Sequence, residues 1–597
     1  METTEPAAER QWLPWALLMT LAVAFVTVRA VAIGTESVNW DEFALMQRTA
    51  NMLRSGQIQG GGRPGVVELM LAPFVSGCRD AIAAVQGARV LWTGLTVGAI
   101  AGLYVLLLQL RRQTREPWVG AAVGVGMLAL VPVFLRWSIH VRTDQPALLL
   151  GLWGGVALLA SRRRAWTALA AGGLFGAGFL CTQKVVYVGG LVLTLWLIDA
   201  TQDPGGWRSR DVFLSLIRRL GLLMLGLLAV AAAYAGLLPL FVRLPATVAT
   251  LGSGLSTFAY YRSFFGFAAY LGMLPSLAVH MVMLVLLLAA TVSRDVRHGR
   301  DARLLISSWS ALVLGAAVAL FHSGAFPYFW MTLGVFPAVA IAMAIDPIQS
   351  LFERASSRRI VPAAAILVLV VQAVPTARAI CSDTQAIQRE SLAFVDRNFA
   401  PGDRGFQAEG ALFCRVDPRP FPVLFSEGIL RRFFGAQAPA EISAFIGQFR
   451  SRPVKFMIGS HVLNQFPDDV RRFWNSNYVR YHSQVYVPGH LISVTSSGPA
   501  AFETIVPGHY CWLPGDGRSQ IAIDGRVVAT GERLALRAGP HLVIAPASTH
   551  GTLVLALGEG SNPGREPFYD REAILDITGG GYAASWESVV EEHRRSR

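Results

Sequence analysis

Apolar runs of bilayer-spanning length recur through the first 380 or so residues, near 12–33, 86–110, 118–136, 145–161, 165–182, 185–200, 220–242, 267–292, 304–322, 327–345 and 360–379. A bilayer core takes roughly 20 residues of helix. Inside hydrocarbon every backbone N–H and C=O must be satisfied within the segment, which leaves helices as the spanning element for runs of this kind. The expected fold is therefore a polytopic α-helical membrane domain of about eleven transmembrane helices over residues 1–379. Composition agrees: 15% of residues are charged, against about 25% in soluble domains, and the mean hydropathy is +0.44. The first run, from Trp12 to Ile33, lacks a small-residue cleavage site and reads as a retained helix.

The formal net charge of +13 raises nucleic-acid binding as a class, and its distribution excludes it. The arginines gather in short loops: Arg111, Arg112 and Arg115; Arg162 to Arg164; Arg208, Arg210, Arg218 and Arg219; Arg294, Arg297, Arg300 and Arg303; Arg354, Arg358 and Arg359. With the N-terminus inside, every one of these clusters is cytoplasmic, the positive-inside pattern. The two closest-spaced pairs of runs, 165–182 with 185–200 and 304–322 with 327–345, would leave this assignment unchanged if one pair were re-entrant. The expected setting is the bacterial inner membrane, multi-pass, with membrane lipids as partners and the C-terminal domain extracytoplasmic.

Beyond Arg378 hydropathy falls and a soluble composition follows. Residues 380–500 read as an α/β region, with a helix over Thr384 to Phe399, a buried strand over Val454 to Ile458 and a short helix over Asp468 to Trp474. Residues 501–597 read as a β-sandwich, with a hairpin over Gln520 to Val528 turning at Asp524-Gly525. The five cysteines lack metal-ligand spacing, and Cys414 and Cys511 could pair if their region is extracytoplasmic.

The first outer connection, 34–86, opens on Val38-Asn39-Trp40-Asp41-Glu42-Phe43, two adjacent carboxylates just past a span. Acidic groups at that depth are costly and mark pathways or reaction centres. The plainer reading is a helix cap, with Asn39 or Asp41 starting a helix that runs Glu42 to Leu53. The two readings are compatible. After the bend Gly60-Gly61-Gly62-Arg63-Pro64-Gly65 comes a second short amphipathic stretch, Val66 to Val75. Both stretches suit the interface plane, apolar side to lipid.

Collecting the polar groups of the outer face gives Asp41, Glu42, Arg63, Glu68, Arg136, His140, Arg142, Asp144, Lys184, Arg262, His322 and Tyr328. Taken singly, each has an ordinary role. Arg136 and Arg142 can anchor a helix end, Asp144 can cap one, Lys184 can snorkel, the histidines can be structural, and Glu68 fits a solvated face. Taken together, cations where positive-inside bias should deplete them need anionic partners. Phosphate suits both Arg, which binds it bidentately, and Lys. A carboxylate among them suits a general base or a metal ligand.

These residues resemble the GT-C glycosyltransferases, most nearly the protein O-mannosyltransferases and the aminoarabinose-to-lipid A transferases. Asp41-Glu42 resembles their acidic motif after the first span, and Arg63-Pro64 their basic-Pro pair. Arg142-Thr143-Asp144 followed by Gln145-Pro146-Ala147-Leu148-Leu149 resembles the opening of their fourth span. Gly173 to Leu180 with Thr182-Gln183-Lys184, and Phe336-Pro337-Ala338 within Phe329 to Ala340, resemble later segments, so the likeness covers about residues 10–345. Departures are Gly65-Val66 after the pair, Gln183 between Thr182 and Lys184, and Arg63 where Lys is common.

The resemblance implies transfer of a sugar from a polyprenyl-phosphate-linked donor to an extracytoplasmic acceptor (a glycan, lipid or protein). Asp41 would be the base, with Glu42 and Asp144 the other catalytic acids, and Arg63, Arg142 and Lys184 would bind the donor phosphate. His140, Arg262, His322 and Tyr328 are further candidates. No dedicated ligand cluster stands in the sequence, so no cofactor is expected to be required, although some family members use a divalent metal. The competing classes are a secondary transporter, which should show internal repeats and midplane charges, and a non-catalytic membrane scaffold.

Overall fold

The computed structural model describes residues 12–57, 65–114, 116–200, 210–241, 277–293, 300–322, 327–352, 360–408, 410–415, 429, 432–434, 437–495 and 498–557. The chain divides into two compact units. The first comprises Met1–Gly34, Asn51–Phe74 and Gln86–Ser382; the second comprises Thr35–Ala50, Val75–Val85 and Asp383–Arg597.

The chain begins with α1 (Trp12–Thr35), α2 (Trp40–Ser55), α3 (Val66–Val75) and α4 (Ala81–Leu110). There follow α5 (Pro117–Ala129), α6 (Pro132–Trp137), α7 (Asp144–Ala160), α8 (Thr167–Cys181) and α9 (Val185–Ala200). The remaining helices of the first unit are α10 (Arg210–Phe241), α11 (Ala278–Val292), α12 (Arg300–Phe321), the single turn α13 (Trp330–Leu333), α14 (Val335–Ser350) and α15 (Ile360–Ile380).

Every expected apolar run is largely helical where it is described. Among the described residues five helices are long and apolar enough to cross a membrane: Ala81–Leu110, Arg210–Leu237, Ala302–Phe321, Trp330–Ser350 and Ile360–Ile380. Seven further apolar helices are shorter over their described residues, among them α5, α7, α8, α9 and α11, so length alone does not reach the expected eleven. This is a multi-pass membrane protein.

The predicted run 118–136 is broken into two helices, and Pro132 is the reason. Val131 is extended (φ −67°, ψ 131°), as a residue before proline prefers, and Pro132 restarts the helix as the first residue of α6. α14 is the most enclosed span and packs against α5 and α12. α8 and α10 approach so closely that a Cβ on Gly172 would collide with the Leu223 carbonyl, and one on Gly226 with the Leu169 carbonyl.

In the second unit, α16 (Ala386–Asn398) anchors the acidic stretch. Gln388 brackets Val38, its Oε1 accepting from the Val38 N–H at 2.7 Å and its Nε2 donating to the Val38 carbonyl at 2.9 Å. The Gln385 N–H donates to the Thr35 carbonyl at 3.0 Å, and the Ser37 N–H to Thr384 Oγ1 at 2.9 Å. Cys414 forms a disulfide with Cys78, not with Cys511, which is a free thiol. The Cys414–Cys511 pairing that the sequence left open is not formed: only the fold brings a cysteine 336 residues upstream to Cys414.

The rest of this unit adds α17 (Ala438–Ser451), α18 (Asp468–Asn477) and eleven strands among the described residues. The strands are β1 (Gly405–Phe406), β2 (Phe456–Ile458), β3 (Tyr478–His482), β4 (Val485–Val494), β5 (Ala500–Thr504) and β6 (Gly508–Pro514). They continue with β7 (Ile521–Ile523), β8 (Arg526–Val528), β9 (Arg533–Leu536), β10 (Gly539–Ile544) and β11 (Thr549–Leu555). One sheet runs β1-β2-β4-β11-β6-β9 with β3 also on β4, and the other runs β5-β10-β7-β8.

β4 serves both halves of the unit. Val485 and Tyr486 pair with β2, while Gly489 to Val494 pair with β11. An aromatic core (Phe406, Phe433, Phe445, Phe449, Phe466 and Trp474) fills the α/β half. Trp512, Ile521, Ile523, Val543 and Leu553 are among the residues that fill the space between the two sheets of the sandwich. The β7–β8 hairpin turns through Asp524 (φ 50°) and Gly525 (φ 81°), the left-handed pair an Asp-Gly turn supplies.

Candidate functional site

The first unit builds one compact polar cluster from three distant segments. Arg142 and Asp144 stand at the start of α7, Lys184 lies in the turn between α8 and α9, and His322 and Tyr328 flank the link from α12 to α13. Lys184 Nζ donates to Asp144 Oδ1 at 2.8 Å, and that carboxylate is only 3% exposed. The Arg142 guanidinium lies 3.8 Å from the centroid of the Tyr328 ring, and Lys184 Nζ lies 5.0 Å from the same centroid. Trp137 completes an aromatic wall, 5.1 Å from the Arg142 guanidinium and 6.0 Å from Tyr328. Two cations and one carboxylate thus meet against a π-rich surface.

His322 stacks on Phe329 at 3.7 Å, and its Nδ1 lies 3.2 Å from the Tyr187 hydroxyl. His140 is buried and held from behind, its Nδ1 facing an Arg89 guanidinium nitrogen at 3.3 Å. Because Arg is only a donor, His140 Nδ1 is the acceptor there. The backbone between α6 and α7 is pinned along its length. Trp92 Nε1 donates to the Arg142 carbonyl at 2.6 Å, and Gln145 Nε2 to the His140 carbonyl at 2.6 Å. Arg29, fully buried in α1, donates to Ser138 Oγ at 2.7 Å and also to the Ser138 carbonyl.

The two acidic residues after the first span take different places. Asn39, the cap of α2, accepts from the Asp41 N–H at 3.0 Å, and Glu42 Oε2 accepts from the Asn39 N–H at 2.8 Å. That reciprocal arrangement is a variant of the capping box, with the cap side chain taking the second helical N–H rather than the third. Glu42 is fully buried in it, while Asp41 is half-buried. The cap anticipated for this stretch is formed, with Asn39 and Glu42 as its members. Two surface expectations are corrected. Glu68, expected on a solvated face, is buried at 4% exposure. The apolar side of α2 is enclosed by protein rather than turned to lipid, with Phe43, Leu45 and Met46 buried.

The structure thus brings together Arg142, Asp144, Lys184, His322 and Tyr328, with His140 on the adjoining loop. Asp41 and Glu42 belong to the second unit. Arg63 and Arg262 lie outside the described residues, and Arg136 is half-buried in the last turn of α6. Among the described residues no group of three or more His, Cys, Asp or Glu side chains could hold a metal ion. Sequence reasoning missed Arg29 and Arg89 as the supports of this loop, and Trp137 and Phe329 as its aromatic wall. An arginine inside or beside an apolar run is the signal that could have found the first two.

No known family model matches this chain, and no curated protein does. Among solved structures, it is similar to ArnT from Cupriavidus metallidurans bound to undecaprenyl phosphate, at 14% identity and a TM-score of 0.45, over 79% of this chain and 98% of that one. It is also similar to the apo oligosaccharyltransferase of Archaeoglobus fulgidus, at 11% identity and a TM-score of 0.41, over 94% of this chain and 98% of that one.

Proposed function

We propose that the chain is an integral-membrane glycosyltransferase of the bacterial inner membrane. It moves a sugar from a polyprenyl-phosphate-linked donor to an extracytoplasmic glycan, lipid or protein. The observation that carries this reading is the convergence of Arg142 and Lys184, 42 residues apart in sequence, on one tyrosine ring, with the Asp144 carboxylate paired to Lys184. Cations backed by aromatic side chains suit a phosphate attached to a long apolar tail. The motif resemblance to GT-C enzymes falls on the same residues.

In the proposed reaction the acceptor hydroxyl loses its proton to the Asp41 carboxylate and its oxygen attacks the anomeric carbon. The bond from that carbon to the phosphate oxygen breaks, and its electron pair stays with the departing lipid phosphate. Negative charge grows on that phosphate in the transition state, where pre-placed cations stabilise it most. Arg142 and Lys184 take that role, and Arg63 is a third candidate for it. Asp144 holds Lys184 in place. A single displacement with no covalent intermediate inverts the anomeric centre.

The Cys78–Cys414 disulfide supports an extracytoplasmic second unit, because structural disulfides persist in oxidising compartments. The test is release of polyprenyl phosphate by the purified full chain from a panel of defined polyprenyl-phosphate sugars. Asp41→Asn should abolish release while leaving expression and membrane insertion intact. Full activity in that variant removes Asp41 as the base.

A further inference from the structure

We infer that the second unit carries a binding cleft for a neutral oligosaccharide, walled by α17, α18, β4 and β5 and independent of the transfer reaction. The cleft holds about 1180 Å³. That exceeds the roughly 300–1,000 Å³ of a small-molecule pocket, so its occupant is several units long. Ile442 and Ile446 of α17 and Phe502 of β5 supply apolar wall, and α18 supplies much of the polar wall.

Three acceptor atoms on these walls meet no donor among the described residues. Asn477, 4% exposed, donates its Nδ2 to the Phe473 carbonyl at 2.8 Å. That bond fixes the other amide atom, Oδ1, as the acceptor, and it has no partner. Asn475 Oδ1 is buried without one as well. His490, also 4% exposed, places Nδ1 2.7 Å from the Ser476 carbonyl, so Nδ1 is the donor and Nε2 the acceptor. Burial holds that ring neutral, its pKa pushed down to about 4. Buried acceptors are ordinarily paired, and three along one cleft call for a ligand dense in donors.

The charges of the cleft call for no ion. Arg450 pairs with Glu503 at 2.9 Å and Arg472 pairs with Asp469, so the charged lining residues form two matched couples. A saccharide meets these demands together. Neighbouring hydroxyls each donate and accept, which serves the two amides, His490 and the guanidinium N–H groups, while the C–H faces of the ring pack on the apolar wall. An extended peptide is the rival occupant, since β5 is the edge strand of its sheet among the described residues. A peptide strand carries one backbone N–H per residue and successive residues face opposite ways, so it brings fewer donors to one wall.

The test uses the purified full chain in a detergent without a sugar headgroup. It is applied to an array of neutral hexose and pentose oligosaccharides of graded length, with unstructured peptides alongside, and affinities are then taken by titration calorimetry. The wild type should bind at least one oligosaccharide series and none of the peptides. Asn475→Leu removes one acceptor and should weaken that binding about fivefold. Gly447 of α17 lines the cleft, and a Cβ added there meets nothing within 4 Å. Gly447→Met therefore sends a side chain into open space and should weaken binding several-fold at wild-type melting temperature. Retention of no neutral oligosaccharide at millimolar concentration overturns the inference, as does unaltered binding in both variants. Capture of peptides with every oligosaccharide silent shows strand addition at β5 and overturns it as well. Lipid-phosphate release is not read in this assay, so a negative result leaves the transferase reading as it stands.

Discussion

Lys184 and Asp144 give the sharpest separation between a catalytic and a structural role for the cluster. Replacing Lys184 by Met leaves the Asp144 carboxylate, 3% exposed, without the cation 2.8 Å away. Removing one partner of a buried pair costs about 3–5 kcal/mol, because the remaining charge is stranded in a low-dielectric site. The Lys184 side chain is 20% exposed, so water relieves part of that, and the lower end, about 3 kcal/mol, is expected. Asp144→Asn strands Lys184 in turn and should cost less, since a lysine can extend toward water. In the double variant both charges are gone, and the stability lost in Lys184→Met should largely return.

Activity should behave differently. If Lys184 stabilises charge growing on the departing phosphate, its loss removes one transition-state donor, worth about 10²–10³-fold in kcat. Nothing in Asp144→Asn restores that donor, so the double variant should be as slow as Lys184→Met while melting near the wild type. Scanning fluorimetry gives the stability side of the cycle, and lipid-phosphate release from a saturating donor gives the rate side. A double variant that regains both rate and stability would reduce the pair to a structural tie. A Lys184→Met enzyme with wild-type kcat would remove Lys184 from the phosphate site altogether.

Glu42→Ala leaves the buried Asn39 N–H without its acceptor and should destabilise the protein by about 1–3 kcal/mol, whereas Glu42→Gln should restore most of it, both read by thermal melting. Burial, reinforced by His541, pushes the His490 pKa down to about 4 from an ordinary 6.5. Between those values the unfolded chain takes up a proton that the folded one refuses, so stability falls as pH drops from about 6.5 towards 4. His490→Gln should remove up to about 3 kcal/mol of that acid dependence, measured as the slope of melting temperature against pH. Denatured without reductant, the full chain should take up three alkyl groups rather than five, because Cys78 and Cys414 are joined; uptake of five by protein prepared without reduction contradicts the pairing.

The membrane helices were legible because a long apolar run leaves a chain no alternative to a helix, and α4, α12 and α15 fall within a few residues of the runs that predict them. The β7–β8 hairpin was legible for a local reason too, since Asp524-Gly525 is chemistry for one turn type. What was hidden depends on partners far along the chain. Arg29 meets Ser138 across 109 residues and Arg89 meets His140 across 51, so neither shows in its own window as anything but a charge in an apolar run. Cys78 carries no spacing clue to Cys414. Glu68 has the sequence surroundings of a surface carboxylate and the burial of a core one.

The acidic pair shows how far a motif can be read and where geometry takes over. On an α-helix adjacent residues diverge by about 100° (3.6 residues per turn), so Asp41 and Glu42 cannot serve one ligand from one direction. Glu42 occupies the position whose side chain folds back on the cap, and its bond to Asn39 fixes where α2 begins. That start in turn fixes the backbone of Asp41, whose N–H is held by Asn39 and whose carboxylate is the more exposed of the two. Burying Glu42 therefore fixes the backbone from which the Asp41 carboxylate projects, as the proposed role of Asp41 as base requires. The pair acts in sequence, with one carboxylate building the helix start that positions the other. A substitution at Glu42 should accordingly alter rate only as far as it loosens the start of α2, while one at Asp41 should alter rate with the helix start intact.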